Sequence, residues 1–428
     1  MKHSINFAAV AFFVCGLSAA PVVQSVTMSQ AEDRTVTIEY SLSEAGIVTV
    51  DIQTNNTEGA YVSIGGQHLT HFTGDVNRLV SAGTHKMTWK PRKAWPNDEV
   101  KDDVKAVVTA WAKDAPPDYM VCSLSVTNTV RFYTCAESIP YGVTNDMYKT
   151  EYLVMRKIPA ANVEWRMGSP STEYCRDASG NYSEIPHIVA LTNDYYIGVY
   201  PVTQRQYELM MKTNPSYFNN VADYATRPVE RVKYDDIRGS SKQDTGFNWP
   251  QDGHAVLSTS FMGVLRTHTG MNGFDLPTEA QWEFACRAGC GSALYNGMEL
   301  SNGTTCSRLA ELGRYQKNGG YVDGTTVPDA TCTADNGTAK VGSYAPNAFG
   351  LYDMLGNVWE WCLDNFVSDI SNVDPETGST TFADLRSYRG GAWTEVSSMC
   401  RAAARRRNRS YAVANSFGFR VACSAVVE

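Results

Sequence analysis

The chain has 428 residues, 43% of them hydrophobic and 19% charged. At roughly 150 residues per domain, this length predicts about two or three domains with real cores and excludes a disordered or fibrous chain. A formal net charge of −8 argues against coating nucleic acid or an anionic membrane by bulk electrostatics, and no stretch after the first 20 residues approaches the ~20 apolar positions of a membrane helix.

Met1, Lys2 and His3 form a short basic start, residues 7–17 are almost wholly apolar, and Ser18-Ala19-Ala20 are small. This is the layout of a secretory signal peptide over residues 1–20, so export to the periplasm, the cell surface or the medium is expected. Cleavage there removes Cys15 and leaves ten of the eleven cysteines, at 122, 135, 175, 286, 290, 306, 332, 362, 400 and 423. In an oxidising compartment these are expected mostly as disulfides, with the connectivity open.

Residues 25–150 have a period of two. Val36, Ile38, Tyr40 and Leu42 alternate with polar neighbours, Ser43-Glu44-Ala45-Gly46 supplies a turn, and Val48, Val50 and Ile52 resume the alternation. A half-buried hairpin is expected there. Further strands are expected at Lys86-Met87-Thr88-Trp89, at 104–111 and around Cys122, Leu124 and Val126. Short strands with turn signals between them predict an immunoglobulin-like β-sandwich. His68 and His71, three apart without carboxylate or cysteine support, read as surface residues.

Beyond residue 150 the texture changes. Thr203-Gln204-Arg205-Gln206 and Thr278-Glu279-Ala280-Gln281 are capping boxes, each followed by apolar residues at helical spacing. The first predicted helix ends at Asn214-Pro215 and the second near Gly289. A third candidate covers 261–270. Residues 289–340 are rich in Gly, Asn and Thr with little periodicity, and disulfides or metal ions are the expected source of order. The run Arg401, Arg405, Arg406, Arg407 and Arg409 favours an anionic partner locally, against which stands pairing with buried acids.

Ordered motifs run from about residue 155 to the C-terminus. They include Arg166-Met167-Gly168-Ser169, Tyr196-Ile197-Gly198-Val199-Tyr200-Pro201-Val202-Thr203 and Leu276-Pro277-Thr278-Glu279-Ala280-Gln281-Trp282-Glu283-Phe284-Ala285. The strongest spans 347–361, with Gly350-Leu351-Tyr352-Asp353-Met354-Leu355-Gly356-Asn357-Val358-Trp359-Glu360-Trp361. The last are Arg389-Gly390-Gly391-Ala392-Trp393, Cys400-Arg401 and Gly418-Phe419-Arg420. Through these blocks, residues 151–428 resemble the formylglycine-generating enzyme, or sulfatase-modifying factor, family. The resemblance implies a loop-rich variant of the C-type lectin-like fold. With the β-sandwich it gives an α+β chain of two domains.

Enzymes of the family convert a peptide cysteine to formylglycine with copper held by two cysteines after the Gly-Gly pair. Two soft thiolates select Cu(I). Here the second position is Cys400, but the first is Glu395, and Ala392 stands where the family has an active-site serine. A carboxylate is a hard ligand, so copper chemistry is not expected and Cys400 reads first as structural, as do Cys286 and Cys362. The iron-dependent sulfoxide-synthase branch needs a histidine triad that the seven histidines do not form. The resemblance also implies a structural Ca²⁺ held by Asp353 and Glu360 through side chains and by Gly356 and Val358 through backbone carbonyls, a ligand set suited to this ion. The variable proteins of diversity-generating retroelements, another group with this fold, place ligand contacts between Gly-Gly-x-Trp and the final Gly-Phe-Arg. The matching candidates are Thr394, Glu395, Val396, Ser397, Arg406, Arg407, Tyr411 and Val413. The expected function is therefore an exported, non-catalytic protein that binds a protein or glycan ligand, without nucleic acid or a membrane span. The alternative is a copper- or iron-dependent oxidoreductase acting on a protein or thiol, with Cys400 in its site.

Overall fold

The computed structural model describes residues 20–56, 58–94, 104–177, 181–239, 256–319, 337–373, 375 and 385–427. Residues 1–19 of the expected signal peptide, and Cys332, lie outside them.

The alternating N-terminal segments form strands β1 (Val23–Gln30), β2 (Val36–Leu42), β3 (Gly46–Asn55), β4 (Tyr61–Ser63), β5 (Phe72–Gly74), β6 (Arg78–Val80), β7 (Gly83–Trp89) and β8 (Val104–Trp111). They build two sheets, ordered β1-β2-β7-β5 and β4-β3-β6, with β8 also paired to β3. Val36, Ile38, Tyr40 and Leu42 from one sheet meet Val48, Val50 and Ile52 from the other in a shared core. The expected hairpin between β2 and β3 does not form. β2 pairs with β1 and β7, and the turn at 43–45 carries the chain across to the second sheet. A period of two identifies the buried face of a strand but not its neighbour.

Next come β9 (Tyr119–Ser123), β10 (Val130–Tyr133), β11 (Tyr152–Ile158), β12 (Glu164–Met167), β13 (His187–Ala190), β14 (Tyr195–Gly198) and β15 (Phe274–Asp275). The C-terminal part adds β16 (Trp359–Asn365), β17 (Leu385–Arg389), β18 (Arg405–Arg409), β19 (Phe417–Gly418) and β20 (Ala422–Ser424). A six-stranded sheet runs β10-β9-β11-β14-β20-β15. Two of its strands precede residue 150, so the segment around Cys122, read from its alternation as part of the sandwich, pairs instead with β11. β20 lies between β14 and β15, which fastens the end of the chain into this sheet.

Both capping boxes close. Thr203 Oγ1 accepts from the Gln206 amide at 3.2 Å, and Gln206 Oε1 accepts from the Thr203 amide at 3.0 Å. The corresponding distances at Thr278 and Gln281 are 3.2 and 2.8 Å. Helices follow at Gln204–Met211 and Glu279–Arg287, and a third at Phe261–Thr269 ends on Gly270. Lys212 and Ala288 take the left-handed cap positions, one residue before Gly289 in the second case.

The segment from 289 onward is ordered by neither of the expected means among the described residues. Cys290 and Cys306 are unbridged, and no cluster of three or more His, Cys, Asp or Glu side chains is present there. Buried tyrosine hydroxyls bind the backbone instead. Tyr295 donates to the carbonyls of Leu312 and Ala345 at 2.9 and 2.7 Å. The Tyr315 hydroxyl receives the Cys306 amide at 3.1 Å. These bonds supply the partners that an irregular backbone needs when buried.

Candidate functional site

The site residues are carried on a four-stranded sheet, β18-β17-β16-β19, and the turns leaving it. At the end of β17 the chain turns through Gly390 (φ 98°) and Gly391 (φ 78°), both left-handed. A side chain on Gly391 would collide with the Cys400 sulfur, so two requirements select glycine there. Ala392 and Trp393 then turn inward and are buried. Trp393 Nε1 donates to the Asn415 carbonyl at 3.0 Å, and its ring packs edge-to-face on Phe218.

Cys400 is fully buried. Burial pushes its thiol well above the usual range, and the charge of Glu395 adds to the effect. Glu395 and Cys400, the two positions at which the resemblance implies a thiol pair, are thus close enough for one charge to act on the other, but only one is a thiol. Glu395 Oε1 accepts from Trp359 Nε1 at 3.2 Å, which fixes the carboxylate against β16. The other described cysteines add no disulfide to this region. Cys122, Cys135, Cys175, Cys286, Cys290, Cys306, Cys362 and Cys400 all carry unbridged thiols, contrary to the disulfide framework expected of them. Most of these occupy separate buried positions in the core, where a thiol packs as a small apolar group.

The arginine run divides by depth. Arg401 lays Nη1 and Nη2 on the two oxygens of Glu184 at 2.8 and 2.7 Å, and Nη1 also reaches Glu173 at 2.6 Å. Arg405 is buried against Glu279. Arg406 pairs with Asp177 at 3.3 Å and lies over the Tyr182 ring, which Arg407 also faces. Arg401 and Arg405 are therefore parts of the fold. Arg406 and Arg407 keep partial exposure at the surface.

In the block before β16, Asp353 and Glu360 are both buried. Asp353 Oδ2 accepts from the Gly342 amide at 2.7 Å, and Oδ1 from Asn357 Nδ2 at 3.4 Å. Glu360 receives Trp282 Nε1 at 2.7 Å and Arg420 Nη2 at 2.9 Å. Burial, with Glu360 nearby, raises Asp353 to about 6. Two buried carboxylates facing one guanidinium leave negative charge uncompensated. These carboxylates are hard oxygen donors, of a kind that suits Ca²⁺ and not Cu(I).

Of the remaining candidates, Tyr411 and Val413 are 54% and 46% exposed. Thr394, Glu395 and Val396 are half-buried. Ser397 faces inward, its hydroxyl donating to the Asn302 carbonyl at 2.6 Å. Sequence reading missed the acids that hold this surface in place, Glu173 and Glu184. They lie more than two hundred residues from Arg401, and no local spacing marks such a pair. It also missed Glu230, fully buried beside Phe218, whose amide Glu230 Oε1 accepts at 2.9 Å.

Residues 149–425 match the family model described as the sulfatase-modifying factor enzyme 1-like domain. The formylglycine-generating enzyme of Thermomonospora curvata is 38% identical over 181 residues, covering 40% of this chain and 55% of the enzyme. The serine/threonine-protein kinase pkn1 of Chlamydia pneumoniae is 29% identical over 251 residues, 57% of this chain and 35% of the kinase. Among solved structures, PvdO of Pseudomonas aeruginosa aligns with a TM-score of 0.47 and 22% identity, over 64% of this chain and 94% of that one. The match thus spans about a third of the kinase's length and about half of the enzyme's.

Proposed function

The chain belongs to the sulfatase-modifying factor enzyme 1-like family through residues 149–425, and from that premise we propose that it is an exported, non-catalytic member of it. In this reading it binds a protein or glycan ligand through the surface made by Thr394, Val396, Arg406, Arg407, Tyr411 and Val413. The observation that carries the reading is at Glu395. Its carboxylate stands at the first of the two positions where the family has a copper thiol, and it is engaged by the Trp359 indole at 3.2 Å. The only thiol of the pair, Cys400, is buried, and burial keeps it protonated; the thiolate is the metal ligand and nucleophile. The N-terminal sandwich, proposed to be immunoglobulin-like, serves as a spacer or attachment module. Asp353, Gly356, Val358 and Glu360 are proposed to hold a structural Ca²⁺.

The second reading, an oxidoreductase with altered chemistry, is favoured by the 38% identity to a formylglycine-generating enzyme. One assay separates the two. The mature protein is incubated with a cysteine-containing sulfatase peptide, Cu(I) and O₂, and the peptide is weighed by mass spectrometry. An unchanged peptide is expected; conversion of its cysteine to the aldehyde overturns the non-catalytic reading.

A further inference from the structure

Away from the C-terminal surface, a cavity of about 280 Å³ opens where the sandwich meets the six-stranded sheet. The sandwich lines it with Thr70, His71 and Phe72, and the sheet side with Arg131, Tyr133 and Tyr141. Sites built at the junction of two structural units are a common place for small ligands, and this volume lies near the lower end of their range.

Three features give the cavity a chemistry. The first is an unspent charge. Among the described residues Arg131 has no carboxylate within ion-pair distance; its side chain makes one long hydrogen bond, 3.4 Å, to the carbonyl of Val130. Asp75, the acid whose charge it feels, is already held by His85 at 2.9 Å. Burial together with the neighbouring Arg78 lowers the proton affinity of Arg131, so an arriving anion would relieve an existing electrostatic cost. The guanidinium fork suits a planar carboxylate.

The second feature is the pairing of ring faces with polar edges. The aromatic side chains of Phe72, Tyr133 and Tyr141 line the cavity, while the Thr70 hydroxyl and the His71 imidazole make no hydrogen bond among the described residues. A flat hydrocarbon ring would leave those polar groups unmet when it displaced water. A ring with hydroxyls on its edge and C–H groups on its face would satisfy both. The third is the backbone. His71 (φ 59°) and Tyr141 (φ 64°) both sit in the left-handed region on opposite walls. Such conformations in non-glycine residues cost of order 1–3 kcal/mol each and gather at ligand clamps.

We infer that this cavity binds one ring of a carboxylated sugar, with the carboxylate on Arg131 and the ring face on the tyrosines. This site is separate from the C-terminal surface, so its success or failure leaves the reading of that surface intact.

The test is calorimetric titration of the full chain with glucuronate, its methyl ester, glucose and a short oligo-uronide. Glucuronate is expected to bind at least about tenfold more tightly than the ester or glucose, a gap of one charged recognition element. Equal affinity for all three, or no binding of glucuronate and oligo-uronide at about 10 mM, overturns the proposal. If the oligomer binds and the monosaccharide does not, the source is a chain end of a larger glycan. Arg131→Gln should weaken glucuronate by about tenfold or more while leaving the melting temperature near wild type. Should that variant fail to fold, Arg131→Lys keeps the charge but loses the fork, and it too should weaken binding. Undiminished affinity in a folded Arg131 variant sinks the assignment.

Discussion

Glu279 holds Arg405 at two points, with Arg405 Nη2 2.6 Å from one carboxylate oxygen and Nε 2.9 Å from the other. Arg389 adds its Nε at 2.7 Å, and all three side chains are buried. One acid at the capped start of a helix thus joins β17 and β18, the strands on either side of the candidate surface. Burial alone would raise the Glu279 carboxyl, but Arg405 and Arg389 outweigh it and hold it at about 2. Glu279→Gln keeps the shape and removes the charge, taking from Arg405 its carboxylate partner and leaving Arg389 with Glu283, which Arg287 also uses. A loss of about 3–5 kcal/mol is expected, read from the urea midpoint at pH 7. A loss within the ~0.5 kcal/mol typical of a surface substitution would disprove the role.

Glu230 should behave in the opposite sense with pH. It is buried, one oxygen accepts from the Phe218 amide while the other has no hydrogen-bond partner among the described residues, and burial pushes it up to about 8 from an ordinary 4.5. Because the folded-state pKa is raised, the folded protein keeps a proton that the unfolded chain releases. The stability that Glu230 contributes is full below about pH 4.5 and is lost as pH rises through about 8. Glu230→Gln cannot titrate. Wild type and variant should therefore be similar near pH 5, and the variant should gain by a few kcal/mol toward pH 9. Denaturant titrations at several pH values that track in parallel would refute this.

Much of the local structure was readable from the chain, because capping boxes and strand alternation act over three or four residues. The boxes at Thr203 and Thr278 closed as their spacing required. What was not readable depends on which distant segment arrives as a neighbour. The alternation in β2 and β3 marked their buried faces and was silent about their lying in different sheets. The arginine run left an anionic partner and pairing with buried acids both open, because Glu184, Glu173 and Glu279 sit over a hundred residues away. The count of cysteines pointed to disulfides, yet whether two thiols meet depends on tertiary position, and here Cys122, Cys135, Cys175, Cys286, Cys290, Cys306, Cys362 and Cys400 stay unbridged.

That packing makes the thiols a sensitive probe. Cys135 is exposed, whereas Cys122, Cys286, Cys362 and Cys400 are buried, and burial raises all four of the latter above the usual thiol range. Reactivity follows the thiolate and its access to solvent. Brief alkylation of the native protein, followed by peptide mass mapping, should label Cys135 and leave Cys400 unmodified until denaturant is added. Rapid native labelling of Cys400 would show an accessible thiolate and reopen redox chemistry at that position.

Calcium supplies the last expectation. If Asp353 and Glu360 share a cation, millimolar Ca²⁺ should raise the melting temperature of protein stripped with chelator. At one hundred times the dissociation constant the stabilisation is about 2.7 kcal/mol. The two carboxylates then separate by their other partners. Asp353→Asn keeps the bond from the Gly342 amide and should mainly abolish the response to Ca²⁺. Glu360→Gln also breaks the buried pair with Arg420, 2.9 Å away. It should therefore lower stability even in chelator, by about 3–5 kcal/mol. No calcium response in the wild type, with Glu360→Gln still destabilised, would leave Glu360 as an arginine partner and Asp353 as a cap for the Gly342 amide.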